Sequence, residues 1–153
     1  MPDREGEIAG GLHLVEALLH EARGQVQEIL LEVQASRPAR ALAEEARSLG
    51  IPVRSVSPEA LRAWSRGRNF QGIAVRLRPY PYASFEDWLG TPDAHPLVLA
   101  LDSIQDPQNL GSILRTAAFY GVAGVVIPKD RAVGVTGAVL RASAGAVARV
   151  RSE

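Results

Sequence analysis

The residues with the clearest potential for chemistry lie between Asp102 and Arg115. Asp102 follows a continuous apolar run, residues 97–101, which is typical of a strand covered on both faces. Asp106, Asn109 and Arg115 follow in a polar loop and in a segment whose apolar residues have helical spacing. In parallel α/β sheets, ligands usually bind where a strand ends and a helix begins. These side chains could therefore hold a polar ligand.

The same spacing has a purely structural interpretation. Asp106 or Asn109 could be only a helix N-cap, and Arg115 a solvated helix residue. Gly111 lacks a side chain at a place where a ligand or a second chain could come close. The spacing alone does not decide between the two interpretations.

The elements that must position these residues form a β-α-β unit, which implies a parallel sheet. The helical pattern ends at Gly121, and the apolar string VVI predicts the second strand. Val133–Arg141 then predicts another helix. Ser143 and Gly145 are small residues that permit close backbone approach, and the string AVARV could start a third strand.

Residues 8–78 predict a small α/β domain of two or three layers. Short strands rich in branched residues alternate with helices, one of which begins near Pro38, ends at Gly50 and carries Leu42, Ala46 and Leu49 on its apolar face. Residues 79–96 contain four prolines and predict a linker. Its aromatic residues are expected to pin it against one domain, with RNA stacking as the less favoured role: Tyr80, Tyr82, Phe85 and Trp88.

Composition excludes several classes of site. The chain has 153 residues, 46% of them hydrophobic, which is enough for a core. It has no cysteine, and its three histidines are scattered, so we expect neither a disulfide framework nor a metal site. No apolar run approaches the roughly 20 residues that span a membrane. The polar, acidic N-terminus is unlike a signal peptide, so we expect a cytoplasmic protein without membrane partners.

The positive charge is carried almost entirely by arginine, with Lys129 the one lysine in the sequence. Arginine suits bidentate phosphate contacts, although a GC-rich genome would enrich it equally. Between residues 61 and 78 lie five arginines and no acid, interleaved with Trp64 and Phe70. Such a segment could bind RNA phosphates and bases. Alternatively, Trp64 could be a core residue and the arginines a solvated rim. Arg66, Arg68 and Gln71 are our candidates for RNA contact.

The string D-x-x-x-D-P-x-N-x-G-x-x-x-R-x-A, Asp102–Ala117, resembles the first signature motif of the SpoU (TrmH-like) RNA ribose 2'-O-methyltransferases. Lys129–Val150 resembles the segment that follows this motif. Residues 10–19 and Asn69–Val75 resemble the opening and closing strings of the family's substrate-binding domain, which is similar to RNA-binding ribosomal proteins. Phe70 stands where the family often has histidine, so no imidazole role carries over there.

The resemblance implies an α/β fold in three parts. Residues 1–78 would form the RNA-binding domain, 79–96 the linker, and 97–153 the first part of a trefoil-knotted methyltransferase (SPOUT) domain. It implies S-adenosylmethionine as cofactor and RNA as substrate, with ribosomal RNA guanosine favoured by the two-domain pattern. The full-length family would form homodimers.

Residue roles also follow from the resemblance. Asn109 and Arg115 would be catalytic, with Arg115 positioning the 2'-hydroxyl, because a guanidinium with a pKa above about 12 is a poor base. Asp106 and Gly111 would shape the substrate loop, and Ser143 and Gly145 would lie on the substrate side. No residue can be assigned to the cofactor or to a metal.

The family's second and third motifs are absent from the sequence, so the resemblance implies a C-terminally truncated chain that is inactive by itself. A non-catalytic RNA-binding module is the alternative. A nucleotide-binding α/β domain of another kind is disfavoured, since no glycine-rich phosphate loop follows Leu101.

Overall fold

A computed structural model describes residues 6–84 and 97–143, together with the backbone of residues 151–152. The chain divides into two compact units, Met1–Pro79 and Tyr80–Glu153. Within the described ranges, no helix is long and apolar enough to cross a membrane. No group of three or more potential ligands gathers there to hold a metal ion.

The first unit is built on a mixed sheet with the strand order β1-β4-β2-β3. Its strands are β1 (Ile8–Gly10), β2 (Val26–Glu32), β3 (Val53–Val56) and β4 (Ile73–Leu77). Its helices are α1 (Leu12–Glu21), α2 (Arg37–Ser48) and α3 (Pro58–Ser65), with a 3-10 turn at Arg23–Gln25. Strands β2 and β3 are parallel, whereas β4 runs antiparallel to both of its neighbours.

Short polar side chains fix where the helices of this unit begin. The Ser36 hydroxyl accepts a hydrogen bond from the Ala39 N–H at 3.5 Å, and the Ser57 hydroxyl accepts one from the Ala60 N–H at 3.2 Å. Gly50 follows α2 with a φ of +76°, as predicted for a helix terminator. The apolar face of α2 was predicted less well. Its fully buried residues are Ala39, Ala43 and Ala46, whereas Leu42 and Leu49 are only half-buried.

Alternation along the strands gives this unit three layers, because both faces of its sheet are apolar. Leu30 and Ala74 belong to a buried cluster with Leu61 of α3. Ile29 and Val75, their neighbours in sequence, are fully buried on the opposite face, where β2 and β4 contact α2 and α1.

The second unit contains the β-α-β arrangement expected from the sequence. Strands β5 (Val98–Ala100), β6 (Gly124–Val126) and β7 (Arg151–Ser152) form a sheet in that order, and both pairings are parallel. Helix α4 (Pro107–Phe119) connects β5 to β6, and α5 (Gly137–Ala142) follows β6. Gly121 ends the α4 segment with a φ of +68°, as predicted.

Two expectations for this unit were wrong. Strand β5 is not covered on both faces: Val98 is 37% exposed, Ala100 is exposed and Leu99 is half-buried. Helix α5 starts four residues after Val133, since the Thr136 hydroxyl caps it by accepting from the Val139 N–H at 3.4 Å. The third strand is Arg151–Ser152, and the AVARV string before it lies outside the described residues.

Candidate functional site

The loop that leaves β5, residues 101–106, is called the motif loop below. It starts at the carboxyl end of a parallel strand, where the Leu101 N–H still donates to the Val126 carbonyl at 2.9 Å. Asp102 is exposed and accepts a hydrogen bond from the Ser103 hydroxyl at 3.0 Å. Ser103 adopts a φ of +56°, a left-handed conformation that turns the chain sharply away from the sheet.

Asp106 acts as the N-cap of α4. Its Oδ2 accepts a hydrogen bond from the Asn109 N–H at 2.8 Å, and Pro107 occupies the first turn. Asp106 therefore has the capping role that the spacing left open, and it fixes where α4 begins. The Asn109 side chain is exposed.

Arg115 lies two turns into α4 on the exposed side. Leu110, Leu114 and Ala117 are buried and orient the helix, which leaves the guanidinium in solvent. Arg115 makes no ion pair with any residue of the described ranges. It is thus a cation whose hydrogen-bonding capacity is available to a ligand.

Asn109 does not hold Arg115 in this structure. Six residues of ideal helix place the two side chains about 9 Å apart along the axis and about 120° apart around it. No hydrogen bond joins their side chains. The pair can act together only through a ligand long enough to contact both.

Gly111 was predicted to shape the substrate loop and Ser143 to lie on the substrate side, and the structure places both inside the unit. A Cβ on Gly111 would lie 2.3 Å from the Ala142 Cβ and 3.0 Å from the Ser143 backbone nitrogen. Ser143 is fully buried, and its hydroxyl donates to the Leu140 carbonyl at 2.9 Å. Both residues therefore serve the close packing of α4 on α5. Gly145 lies outside the described residues.

The arginine segment of the first unit divides into two kinds of residue. Arg66 and Arg68 are exposed just after α3, with Arg66 in a left-handed conformation that ends the helix. Arg76, by contrast, is 12% exposed on β4 and donates to the Glu28 carboxylate at 2.9 Å. The arginine segment is thus neither entirely a solvated rim nor entirely a surface available to RNA.

Gln71 has a structural role that the sequence did not indicate. Its Oε1 accepts a hydrogen bond from the Leu12 N–H at 3.0 Å, which caps the N-terminus of α1. Phe70, next to it, is buried against Gly10, where a Cβ would lie 2.3 Å from the ring. Gly10 and Gly11, at the start of the domain, therefore leave room for Phe70 and Gln71. A cavity of about 100 Å³ beside it, lined in part by Arg68 and Gln71, is too small for a nucleotide.

The second unit has a larger cavity of about 580 Å³, which we compared with the chemistry of S-adenosylmethionine. Its lining includes Tyr82, Ser84, Ile127 and Lys129, and Lys129 is the only charged one among the described residues of that lining. S-adenosylmethionine carries a carboxylate as well as a cationic sulfonium, so the charge of Lys129 does not discriminate for or against it. We assign no described residue to cofactor binding.

Contacts of the segment after β6 were missed by the sequence analysis. The Tyr82 hydroxyl accepts a hydrogen bond from the Val135 N–H at 2.8 Å, and the Val133 N–H donates to the Ile104 carbonyl at 2.8 Å. The first contact confirms that Tyr82 pins its segment against one unit. Backbone bonds between distant loops have no signal in the sequence.

Two sequence families match the chain in succession. The profile described as "RNA 2'-O ribose methyltransferase substrate binding" matches residues 8–83, and that of the "SpoU rRNA Methylase family" matches residues 96–153. The order and junction of the two matches fit the two units.

Curated relatives match this chain over most of its length. The chain is 38% identical over 145 residues to the 23S rRNA (guanosine-2'-O-)-methyltransferase RlmB of Xylella fastidiosa, covering 92% of this chain and 58% of the relative. It is 37% identical over 144 residues to the RlmB of Xanthomonas campestris, with the same coverage. The chain therefore spans little more than half the length of these relatives.

Solved structures show the same fold at lower sequence identity. The AdoMet-bound rRNA methyltransferase of Sinorhizobium meliloti has a TM-score of 0.58 and 23% identity, covering 97% of this chain and 53% of that one. The SpoU methyltransferase AviRb of Streptomyces viridochromogenes has a TM-score of 0.59 and 20% identity, covering 97% and 52%. These likenesses confirm the predicted α/β fold. With both sequence profiles matched and the motif loop in place, the chain belongs to the SpoU family of RNA methyltransferases.

Proposed function

We propose that this chain supplies the RNA-binding unit and the first catalytic segment of an S-adenosylmethionine-dependent RNA ribose 2'-O-methyltransferase. The observation that carries the proposal is Arg115, an exposed cation without an ion-pair partner among the described residues, on the helix that follows the motif loop. Family membership and the names of the curated relatives support the same reaction. Those names support a guanosine of 23S ribosomal RNA as the proposed substrate.

In this reaction the cofactor would supply the methyl group that the ribose 2'-oxygen receives. Arg115 would contribute by binding the phosphate beside that ribose and by donating hydrogen bonds to the oxygen as it becomes negative. It would not remove the proton, since its pKa lies above about 12. Asn109, one and a half turns nearer the helix start, would bind the ribose through its exposed amide.

The first unit would hold the RNA through Arg66 and Arg68. Both are exposed at the end of α3, where guanidinium groups can reach neighbouring phosphates. Gln71 would contribute only through its amide N–H groups, because its oxygen caps α1. We further propose that the protein acts in ribosomal RNA processing in the cytoplasm and as a homodimer.

A test of the catalytic role uses the protein that contains this chain, radiolabelled S-adenosylmethionine and 23S ribosomal RNA. Arg115→Ala should lower kcat about 100-fold, the scale for losing a donor to a developing oxyanion. Arg115→Lys should recover part of this loss. The matched control is Arg47→Ala, which removes an exposed arginine paired with Glu44 on α2. Equal activity of the Arg115→Ala and Arg47→Ala variants would reject the role of Arg115.

The competing function is an RNA-binding module without catalysis, and the exposed arginines after α3 favour it. No described residue is assigned to cofactor binding, and the chain spans 58% of the Xylella fastidiosa relative, so we expect the 153-residue chain alone to bind RNA but not to transfer methyl groups. Replacing Arg66 or Arg68 with alanine should lower RNA affinity and reduce the salt slope by about 1 each. Methyl transfer by the chain alone would reject this expectation.

A further inference from the structure

Tyr82, which follows the first unit in sequence, is hydrogen-bonded to the loop that leaves β6. Tyr82 lies three residues after Pro79, and its hydroxyl accepts a hydrogen bond from the Val135 N–H at 2.8 Å. The ring of Tyr80 packs against the Tyr82 ring edge-to-face, with centroids 4.9 Å apart. Tyr82 is nevertheless 45% exposed, so burial alone does not explain where its ring lies.

The loop leaves room for this hydroxyl. A Cβ added to Gly134 would lie 2.9 Å from the Tyr82 oxygen, closer than real Cβ contacts allow. Gly134 does not have a left-handed φ, so a turn conformation does not account for the glycine. The absence of a side chain at Gly134 and the hydrogen bond between Val135 and Tyr82 are thus two separate observations of the same contact.

The same loop is also tied to the motif loop. The Val133 N–H, two residues before Val135, donates to the Ile104 carbonyl at 2.8 Å. Ile104 lies in the motif loop, two residues before the Asp106 cap of α4. Residues 133–135 are therefore hydrogen-bonded both to the Tyr82 hydroxyl and to the Ile104 carbonyl.

We propose that Tyr82 is a positioning residue for methyl transfer, linking the segment that leaves the RNA-binding unit to the motif loop through Val135, Val133 and Ile104. Its hydroxyl fixes the loop after β6, and that loop holds the backbone of the motif loop at Ile104. Only the catalytic consequence rests on the proposed function. The mechanical link is a property of the 153-residue chain and can be measured without activity.

The test measures amide hydrogen exchange of the 153-residue chain by NMR, comparing Tyr82→Phe with the unaltered protein. The variant keeps the ring and removes only the acceptor. Loss of one hydrogen bond should speed exchange about fivefold at Val135, and about twofold or more at Val133 and Asn109. The amide of Leu101, which is bonded to Val126 within the sheet, should be unchanged. Tyr120→Phe is the matched control, since Tyr120 is 71% exposed in the same unit.

Faster exchange at Val135, Val133 and Asn109 with unchanged Leu101 supports the proposal. A change confined to Val135 would overturn it, because the hydrogen bond would then be local. An equal change at Leu101 would also overturn it, because the hydroxyl would then stabilise the whole unit. In the protein that contains this chain, Tyr82→Phe should lower kcat about threefold and leave the KM for RNA unchanged. If methyl transfer itself is absent, only the proposed function fails and the exchange result stands.

Discussion

Replacing Gly111 with alanine tests the packing of α4 on α5 most severely. The added Cβ would lie 2.3 Å from the Ala142 Cβ, 2.9 Å from the Ala142 carbonyl carbon and 3.0 Å from the Ser143 nitrogen. Ordinary contact starts at 3.4 Å, so α5 must withdraw by 3.4 − 2.3, or about 1.1 Å. Two of the three atoms belong to the backbone and cannot rotate away.

The energy of this change has two opposing parts. Overpacking a core contact costs about 1–3 kcal/mol, whereas alanine gains about 1 kcal/mol over glycine within a helix. Because backbone atoms are involved, we expect the cost to lie at its upper end. The net loss in the free energy of unfolding of the second unit should be about 1–2 kcal/mol.

The assay is urea unfolding followed by amide NMR signals from each unit separately. Leu114 and Val125 report on the second unit, and Ile29 and Val75 on the first. The urea midpoint should fall for the second unit alone, and adding Ala142→Gly should restore part of it by removing the nearest atom. Gln108→Ala, an exposed change on the same helix, is the control and should stay within about 0.5 kcal/mol. An unchanged or higher midpoint for Gly111→Ala would refute the packing assigned to this glycine.

Three further predictions concern the first unit. Gly10→Ala should destabilise it by about 1–3 kcal/mol in urea unfolding, because the new Cβ meets the Phe70 ring at 2.3 Å; no loss would contradict that contact. Glu28→Gln should lower the free energy of unfolding by about 1–3 kcal/mol, because Arg76 is 12% exposed and loses its carboxylate partner. A urea midpoint equal to that of the unaltered chain would contradict the contribution of this ion pair. Hydrogen bonds from its own backbone and from Ser57, with the charge of Arg62, lower the pKa of Glu59 below its ordinary value of 4.5. The stability that its carboxylate contributes is therefore present above pH 4.5 and lost as the pH falls through the lower folded pKa; Glu59→Gln should flatten this acid dependence, and an unchanged acid profile would argue against it.

Local signals in the sequence predicted most of the elements correctly. Glycine and proline mark the ends and starts of α2 and α4, and the string after Leu97 predicted a parallel β-α-β unit. These features depend on residues that are close together in the sequence, so the sequence alone indicates them. Asp106 was also readable as a cap, since a cap needs only the residue three positions later.

The features that were missed depend on residues distant in sequence. Gly111 is required because Ala142 packs against it, and the Gln71 oxygen caps the N-terminus of α1. Neither contact could be derived from spacing in the sequence. Arg66 and Arg76 have the same side chain, yet only the fold separates the exposed guanidinium from the half-buried one. Strand β5 was predicted to be buried from its composition, but Val98 and Ala100 are exposed in the structure.

The central claim is that methyl transfer occurs at a ribose 2'-oxygen. The most direct measurement incubates the protein that contains this chain with 23S ribosomal RNA and S-adenosylmethionine, then hydrolyses the RNA in alkali and locates the label. A methylated 2'-oxygen cannot attack the adjacent phosphate, so the account predicts label in an alkali-resistant dinucleotide that starts with guanosine, with about 100-fold less label for Arg115→Ala. Label released in mononucleotides would place the methyl group on a base and contradict the account.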